Sequence, residues 1–124
     1  MAIVLHLMPA AAWLALADGE PITNASLDSE GFIHCTDEPR VMLLVANAFY
    51  SSLSGAFIVA HVDTERLTSR CVWEAPAHIS DTGQALAPQF PHVYGPIDRA
   101  AVIATQAMLR AEDGSFIGFE SVAQ

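Results

Sequence analysis

Five histidines are the side chains in this sequence best suited to chemistry near neutral pH: His6, His34, His61, His78 and His92. Four sit in apolar, strand-like surroundings, and His78 falls in a loop-like stretch. A single histidine in an apolar strand is ordinarily a hydrogen-bonded core residue. Several together weigh more, because each buried imidazole needs its own partner. His6, His34 and His92 are the candidates; His61 reads as a structural residue on a neighbouring strand.

The stretch Gly31-Phe32-Ile33-His34-Cys35-Thr36 delivers an imidazole, a thiol and a hydroxyl. As a strand it places Phe32, His34 and Thr36 on one face and Ile33 and Cys35 on the other. Cys35 and His34 therefore do not read as a Cys–His nucleophile. Glu74 ends the run Val72-Trp73-Glu74. Its carboxylate reads either as a solvent-facing strand end or as a group that orients a ribose or acts as a base. Tyr94 is suited to stacking on a flat ring or bonding a phosphate, or else is a half-buried aromatic. Trp13 and Phe90 read as core or pocket wall.

A metal centre would need three or four ligands at about 2.0–2.3 Å from one ion. His6, His34, His92 and Cys71 or Glu74 are the donors on offer. No H-x-x-x-H or C-x-x-C spacing supports them, so no metal is expected. Neither a phosphate-binding glycine loop nor a G-x-S-x-G elbow occurs.

The elements that must position these residues follow from pattern. Ile3–Met8 alternates with both faces largely apolar, which predicts a central strand. Ala10–Ala17, after Pro9 and before Gly19, predicts a short helix. Gly19–Glu30 reads as a loop and Gly31–Thr36 as a strand. Thr36 or Asp37 is suited to capping the next helix, with Glu38 and Pro39 in its first turn. Val41, Leu44, Val45, Ala48 and Phe49 form its expected apolar stripe. Ala56–Val62 and Arg70–Glu74 read as strands. The short link between them predicts antiparallel neighbours. Ala75–Gln89 is the expected loop, long enough to be mobile or to act as a lid. Pro91–Tyr94 reads as a short extended segment; Ala100–Leu109 suits strand or helix, and Val102, Ile103 and Thr105 after Pro96 favour strand. Asp113-Gly114 is a hairpin turn leading to a last strand over Ser115–Val122. The fold class is α+β: helices in the N-terminal half, then mostly antiparallel strands, in one domain over 1–124.

Composition narrows the function classes. The 124 residues are 52% hydrophobic, so the chain has a real core. Fourteen acidic residues face five basic ones, all arginine, for a net charge of −9. That balance argues against nucleic acid, whose binding rests on phosphate neutralisation, and against an anionic membrane surface. A small anionic ligand held by backbone N–H groups and one arginine remains compatible. No apolar run approaches a membrane span, and no signal-like leader is apparent. Two isolated cysteines, Cys35 and Cys71, fit a reducing, cytoplasmic setting.

Four motifs carry a resemblance: Leu5-His6-Leu7, Glu30-Gly31-Phe32-Ile33-His34-Cys35-Thr36, Val72-Trp73-Glu74 and Phe90-Pro91-His92-Val93-Tyr94-Gly95-Pro96. Together, in this order and over nearly the whole chain, they resemble the motifs of the bacterial DUF952 family. The resemblance implies a fold like that of the ADP-ribosyltransferases, with split antiparallel sheets and NAD gripped in a cleft between them. By position it implies that His6 contacts the adenosine ribose and that His34 with Thr36 shapes the nicotinamide pocket. The third role falls to His92 with Tyr94 or to Glu74, and the sequence does not choose. No Glu lies within Phe90–Pro96, which departs from transferases carrying their catalytic Glu there. Some relatives, the RNA 2′-phosphotransferases among them, use histidines instead.

The expected function is a nucleotide-binding cleft for NAD or an ADP-ribose-like ligand. His34, His92 and Glu74 are the candidate catalytic residues, and His6, Thr36 and Tyr94 are the binding residues. Any catalysis would be glycosidic cleavage at the nicotinamide ribose. The rival readings are a non-catalytic binding or interaction module on the same fold, and a histidine-lined metal site.

Overall fold

The computed structural model describes residues 2–75 and 89–121. Among the described residues, seven strands form two antiparallel sheets. The four-stranded sheet runs β1 (Ile3–Pro9), β3 (Phe57–Asp63), β6 (Val102–Arg110), β7 (Phe116–Phe119). The three-stranded sheet runs β2 (Ile33–His34), β5 (Phe90–Tyr94), β4 (Arg70–Glu74). Helices α1 (Ala10–Leu14), α2 (Ser26–Ser29) and α3 (Pro39–Phe49) all precede β3. The class is therefore α+β, with helices in the N-terminal half. Among the described residues no helix is long and apolar enough to cross a membrane.

β1 is an outer strand of its sheet, not a central one. Its apolar character on both faces has another cause. Leu5 and Thr36 exchange backbone hydrogen bonds of 2.6 and 2.8 Å across its free edge. The strand that begins as β2 in one sheet thus ends by bridging the other, and this joint sets the two sheets side by side.

β3 and β4 are not neighbours either; they lie in different sheets. A short link suffices to part them because it is pinned. Asp63 accepts the Glu65 N–H at 3.0 Å and starts a 3-10 turn over Thr64–Arg66. The Asp98 carboxylate accepts from the Thr68 N–H and hydroxyl, and Ser69 Oγ donates to the Pro96 carbonyl at 2.7 Å. These bonds deliver β4 to β5, the strand just before Pro96.

α3 begins as expected near Pro39, but its N-cap is Glu38, with no side-chain cap bond. Its buried residues are Val41, Met42 and Ala46, whereas Leu44 and Phe49 are exposed. The expected stripe is rotated because Asn47 must face β7: its amide donates to the Phe116 carbonyl at 2.8 Å and its oxygen accepts the Phe116 N–H at 2.7 Å. The loop expected over Gly19–Glu30 contains α2. Of the loop expected over Ala75–Gln89, residues 76–88, including His78, lie outside the described residues.

Two apolar clusters form the core. Leu5, Leu7, Met42, Ala46, Phe57, Val59, Met108 and Phe116 pack between α3 and the four-stranded sheet. Val4, Met8, Ile33, Cys35, Ala60, Val62, Val93 and Ile97 pack between the two sheets. Ile33 and Val93 are paired across β2 and β5, so the opposite face of that sheet is left to Phe32, His34, His92, Tyr94 and Glu74.

Candidate functional site

That opposite face is built of rings. Phe32 stacks on His92 with centroids 4.0 Å apart and an interplanar angle of 24°. It also meets His34 at 4.9 Å and Tyr94 at 5.3 Å. His34 and His92 lie opposite each other in the β2–β5 register, with ring centroids 5.4 Å apart. Pairing across the sheet is what brings together two histidines 58 positions apart in the chain.

A cleft of about 460 Å³ opens beside them. His6, His34, Thr36 and His92 line it, together with Ser26, Asn24 and Glu30 from the α2 region. Met42, Val45 and Phe49 of α3, Tyr50 just after it and Phe90 of β5 form apolar walls. The exposed side chain of Phe49 is thus accounted for as cleft wall.

The three imidazoles are held differently. His6 Nδ1–H donates to the His34 carbonyl at 3.0 Å. A carbonyl can only accept, so the neutral ring carries its lone pair on Nε2. Burial pushes the His6 imidazole below its ordinary range; its bond to the His34 carbonyl opposes this, and the nearby His34 adds to it. His92 Nδ1–H donates to Glu74 Oε1 at 2.8 Å, which likewise leaves the lone pair on Nε2. Burial lowers its basicity too, against the pull of the Glu74 carboxylate. Among the described residues, the Nε2 atoms of His6 and His92 and the hydroxyls of Thr36 and Ser26 are buried and have no hydrogen-bond partner. His34 stands nearer the rim, with its side chain 39% exposed, and its Nε2–H donates to Glu30 Oε2 at 2.7 Å.

Glu74 and Tyr94 do not line the cleft. Glu74 Oε1 accepts from both His92 Nδ1–H and the Tyr94 hydroxyl. Those two bonds, Tyr94's first, hold the carboxyl below its usual range. The same contact raises the Tyr94 phenol. Arg70 lies over the Tyr94 ring at 4.9 Å. Glu74 therefore acts from behind His92, fixing its ring and its tautomer.

The remaining candidates fall into structural roles. His61 Nε2–H donates to Gln106 Oε1 at 2.7 Å across β3 and β6. Cys35 is buried, and burial pushes its thiol far up. Burial lifts Cys71 to about 11. Neither is a poised nucleophile. Among the described residues no group of three His, Cys, Asp or Glu side chains is arranged to hold a metal ion.

Sequence reasoning passed over Glu30 and Ser26. Glu30 was visible only as a motif member; its i, i+4 spacing to His34 was the available signal. Ser26 lay in a stretch read as loop.

The family model described as "Protein of unknown function (DUF952)" matches residues 7–105. No curated protein matches the sequence. Two crystal structures resemble the fold: protein CC0527 from Caulobacter crescentus and a double mutant of it. They are 21% and 20% identical to this chain, each with a TM-score of 0.70 and with 94% of both chains covered. At that identity the likeness is one of fold.

Proposed function

Because the chain belongs to the DUF952 family, its function has to be read from the cleft, and we propose that the cleft binds NAD or an ADP-ribose-like nucleotide on an ADP-ribosyltransferase-like scaffold. One observation carries the reading. His6 and His92 each present a buried Nε2 lone pair without a partner among the described residues, into or beside the same 460 Å³ space. Buried polar atoms are rarely left unsatisfied, and each costs about 1–3 kcal/mol when they are. Two such acceptors, beside the unpartnered hydroxyls of Thr36 and Ser26, suit the hydroxyl groups of a ribose. Phe49, Tyr50 and Phe90 offer aromatic surface for a flat ring. Two antiparallel sheets joined along one strand edge, with the cleft beside the joint, support the reading of such a scaffold.

His34 and His92 are the imidazoles in position to act on a bound ligand, and Glu74 positions His92. If glycosidic cleavage occurs, His34 at the rim, with Glu30 behind it, is placed to exchange a proton with solvent. One observation favours binding without turnover. The Glu74 carboxylate is engaged by His92 and Tyr94 instead of lining the cleft.

The test is an imidazole 15N–1H spectrum recorded during titration with NAD. Saturable shifts at His6, His34 and His92, with His61 unmoved, are expected. No shift at millimolar NAD refutes the proposal. Parallel measurement of nicotinamide release separates turnover from binding alone.

A further inference from the structure

The hydrogen-bonding polarity of the cleft narrows the ligand further than its shape does. His6 and His92 both line it and are only 2% and 1% exposed. Each neutral ring spends its one N–H at Nδ1, on the His34 carbonyl and the Glu74 carboxylate respectively, so each Nε2 can only accept. Both rings also converge on one residue. His6 bonds the backbone of His34, and His92 is the cross-strand partner of His34, with ring centroids 5.4 Å apart. Two acceptors without partners among the described residues thus stand around His34. The buried hydroxyls of Thr36 and Ser26, also in the lining, can accept or donate. A ligand group that brings two hydroxyl donors on adjacent carbons meets that demand.

The same cleft has no positive charge for a phosphate. Among the described residues its lining contains no Lys or Arg, and residues 76–88 and 122–124 contain none either. Arg66 faces Asp63 at 3.5 Å, Arg70 lies over the Tyr94 ring and Arg99 over the Trp13 ring. Arg110 donates to the Ser51, Gly55 and Gly114 carbonyls. Arg40 is exposed on α3; at about 100° per residue it lies roughly 140–180° around the helix from Met42, Val45 and Phe49, which wall the cleft. His34 is paired with Glu30 at 2.7 Å, and that pair has no net positive charge whether or not the ring is protonated. Burial holds the His6 and His92 imidazoles below their ordinary basicity, so neither becomes the missing cation. Helix N–H groups are no substitute. In the first turn of α2 the Ser26 N–H donates to Asn24 Oδ1, the Leu27 N–H to the Asn24 carbonyl and the Asp28 N–H to the Ala25 carbonyl. α3 contributes no lining residue before Met42. A phosphate placed here would lose its water without a compensating charge.

We infer that the cleft recognises a nucleoside by its ribose diol, with His6 Nε2 and His92 Nε2 each accepting from one of the 2′- and 3′-hydroxyls, and that the phosphates of a dinucleotide stay outside and add nothing to affinity. This rests on the nucleotide reading above and specifies which part of the nucleotide the site recognises. The base then lies against the aromatic wall of Phe49, Tyr50 and Phe90.

The experiment titrates the intact chain with adenosine, nicotinamide riboside, the 5′-monophosphate of each, and NAD, read by the imidazole signals of His6 and His92. The tighter riboside should match its own monophosphate and NAD to within about threefold. Its 2′-deoxy and 3′-deoxy forms should each bind about five- to tenfold more weakly, as loss of one neutral hydrogen bond would give. In His6→Asn, which lacks Nε2, one of those two deoxy penalties should vanish and the other persist. A monophosphate or NAD binding more than threefold tighter than either riboside overturns this inference and leaves the nucleotide reading standing. Deoxy forms that bind as tightly as the riboside overturn it too, as does a His6→Asn variant that keeps both penalties. Silence from all five ligands overturns both this inference and the nucleotide reading. Should His6→Asn not fold, the ligand series on the unsubstituted chain still decides.

Discussion

The two nitrogens of His6 have opposite assignments, one to the fold and one to a ligand, and two substitutions separate them. Nδ1–H bonds the His34 carbonyl, whereas Nε2 is buried and unpartnered. In His6→Asn the side-chain amide reaches the position of Nδ1 and keeps the donation, while nothing replaces Nε2. The lost ring atoms border the cleft, so water refills the space and no closed cavity forms. Stability should change by less than about 1 kcal/mol, because removing an unsatisfied acceptor offsets the lost packing. Ligand affinity should fall by the worth of one neutral hydrogen bond, about 0.5–1.5 kcal/mol, or roughly two- to twelvefold. In His6→Gln the amide reaches the Nε2 position and the Nδ1 donor is lost. The His34 carbonyl is then orphaned, at a cost of about 1–3 kcal/mol. Urea denaturation of the two variants, followed by the NAD titration, tests both halves. Equal destabilisation by Asn and Gln, or unchanged affinity in His6→Asn, would refute the division of labour.

Further expectations concern pH, packing and thiol chemistry. The folded-state pKa values of His6 and His92 are both lowered by burial, so below about 6.5 the unfolded chain binds more protons than the folded one. Stability should therefore fall as pH drops through that window, at up to about 1.4 kcal/mol per pH unit for each histidine. Urea midpoints between pH 7.5 and 5.5 measure this, and His6→Asn should reduce the slope; a flat profile would refute it. Phe32→Ala removes a ring that is 7% exposed and stacked on His92, and should cost about 3–5 kcal/mol. A loss under about 1 kcal/mol would show that the rings do not depend on Phe32. Cys35, buried with its thiol pushed far up, should resist alkylation at pH 8 until urea unfolds the chain, while Cys71 reacts slowly. Rapid labelling of folded Cys35 would contradict its place in the core.

Local pattern determined a good deal here. β1, β3, β4 and β6 fall within a residue or two of the segments predicted from alternation and β-branched content, because a strand's period of two is written in neighbouring residues. α3, with its start to within a residue or two, was legible from its own pattern, as were the α+β class and, through its motifs, the family. What the sequence could not decide was pairing. It placed β1 at the centre of a sheet and β3 beside β4; the Leu5–Thr36 joint and the Asp98–Thr68 clamp overrule both, and each joins residues 30 or more positions apart. The face of α3 depended on Asn47 finding the backbone of Phe116, 69 residues away. The same division holds at the cleft. The sequence supplied His6, His34 and His92 as residue types in apolar strands. Only the tertiary structure decided that Glu74 and Tyr94 stand behind His92, that Glu30 holds His34, and that two Nε2 atoms are left without partners. Such facts depend on long-range register and on what burial excludes, and neither is encoded within a window of neighbouring residues.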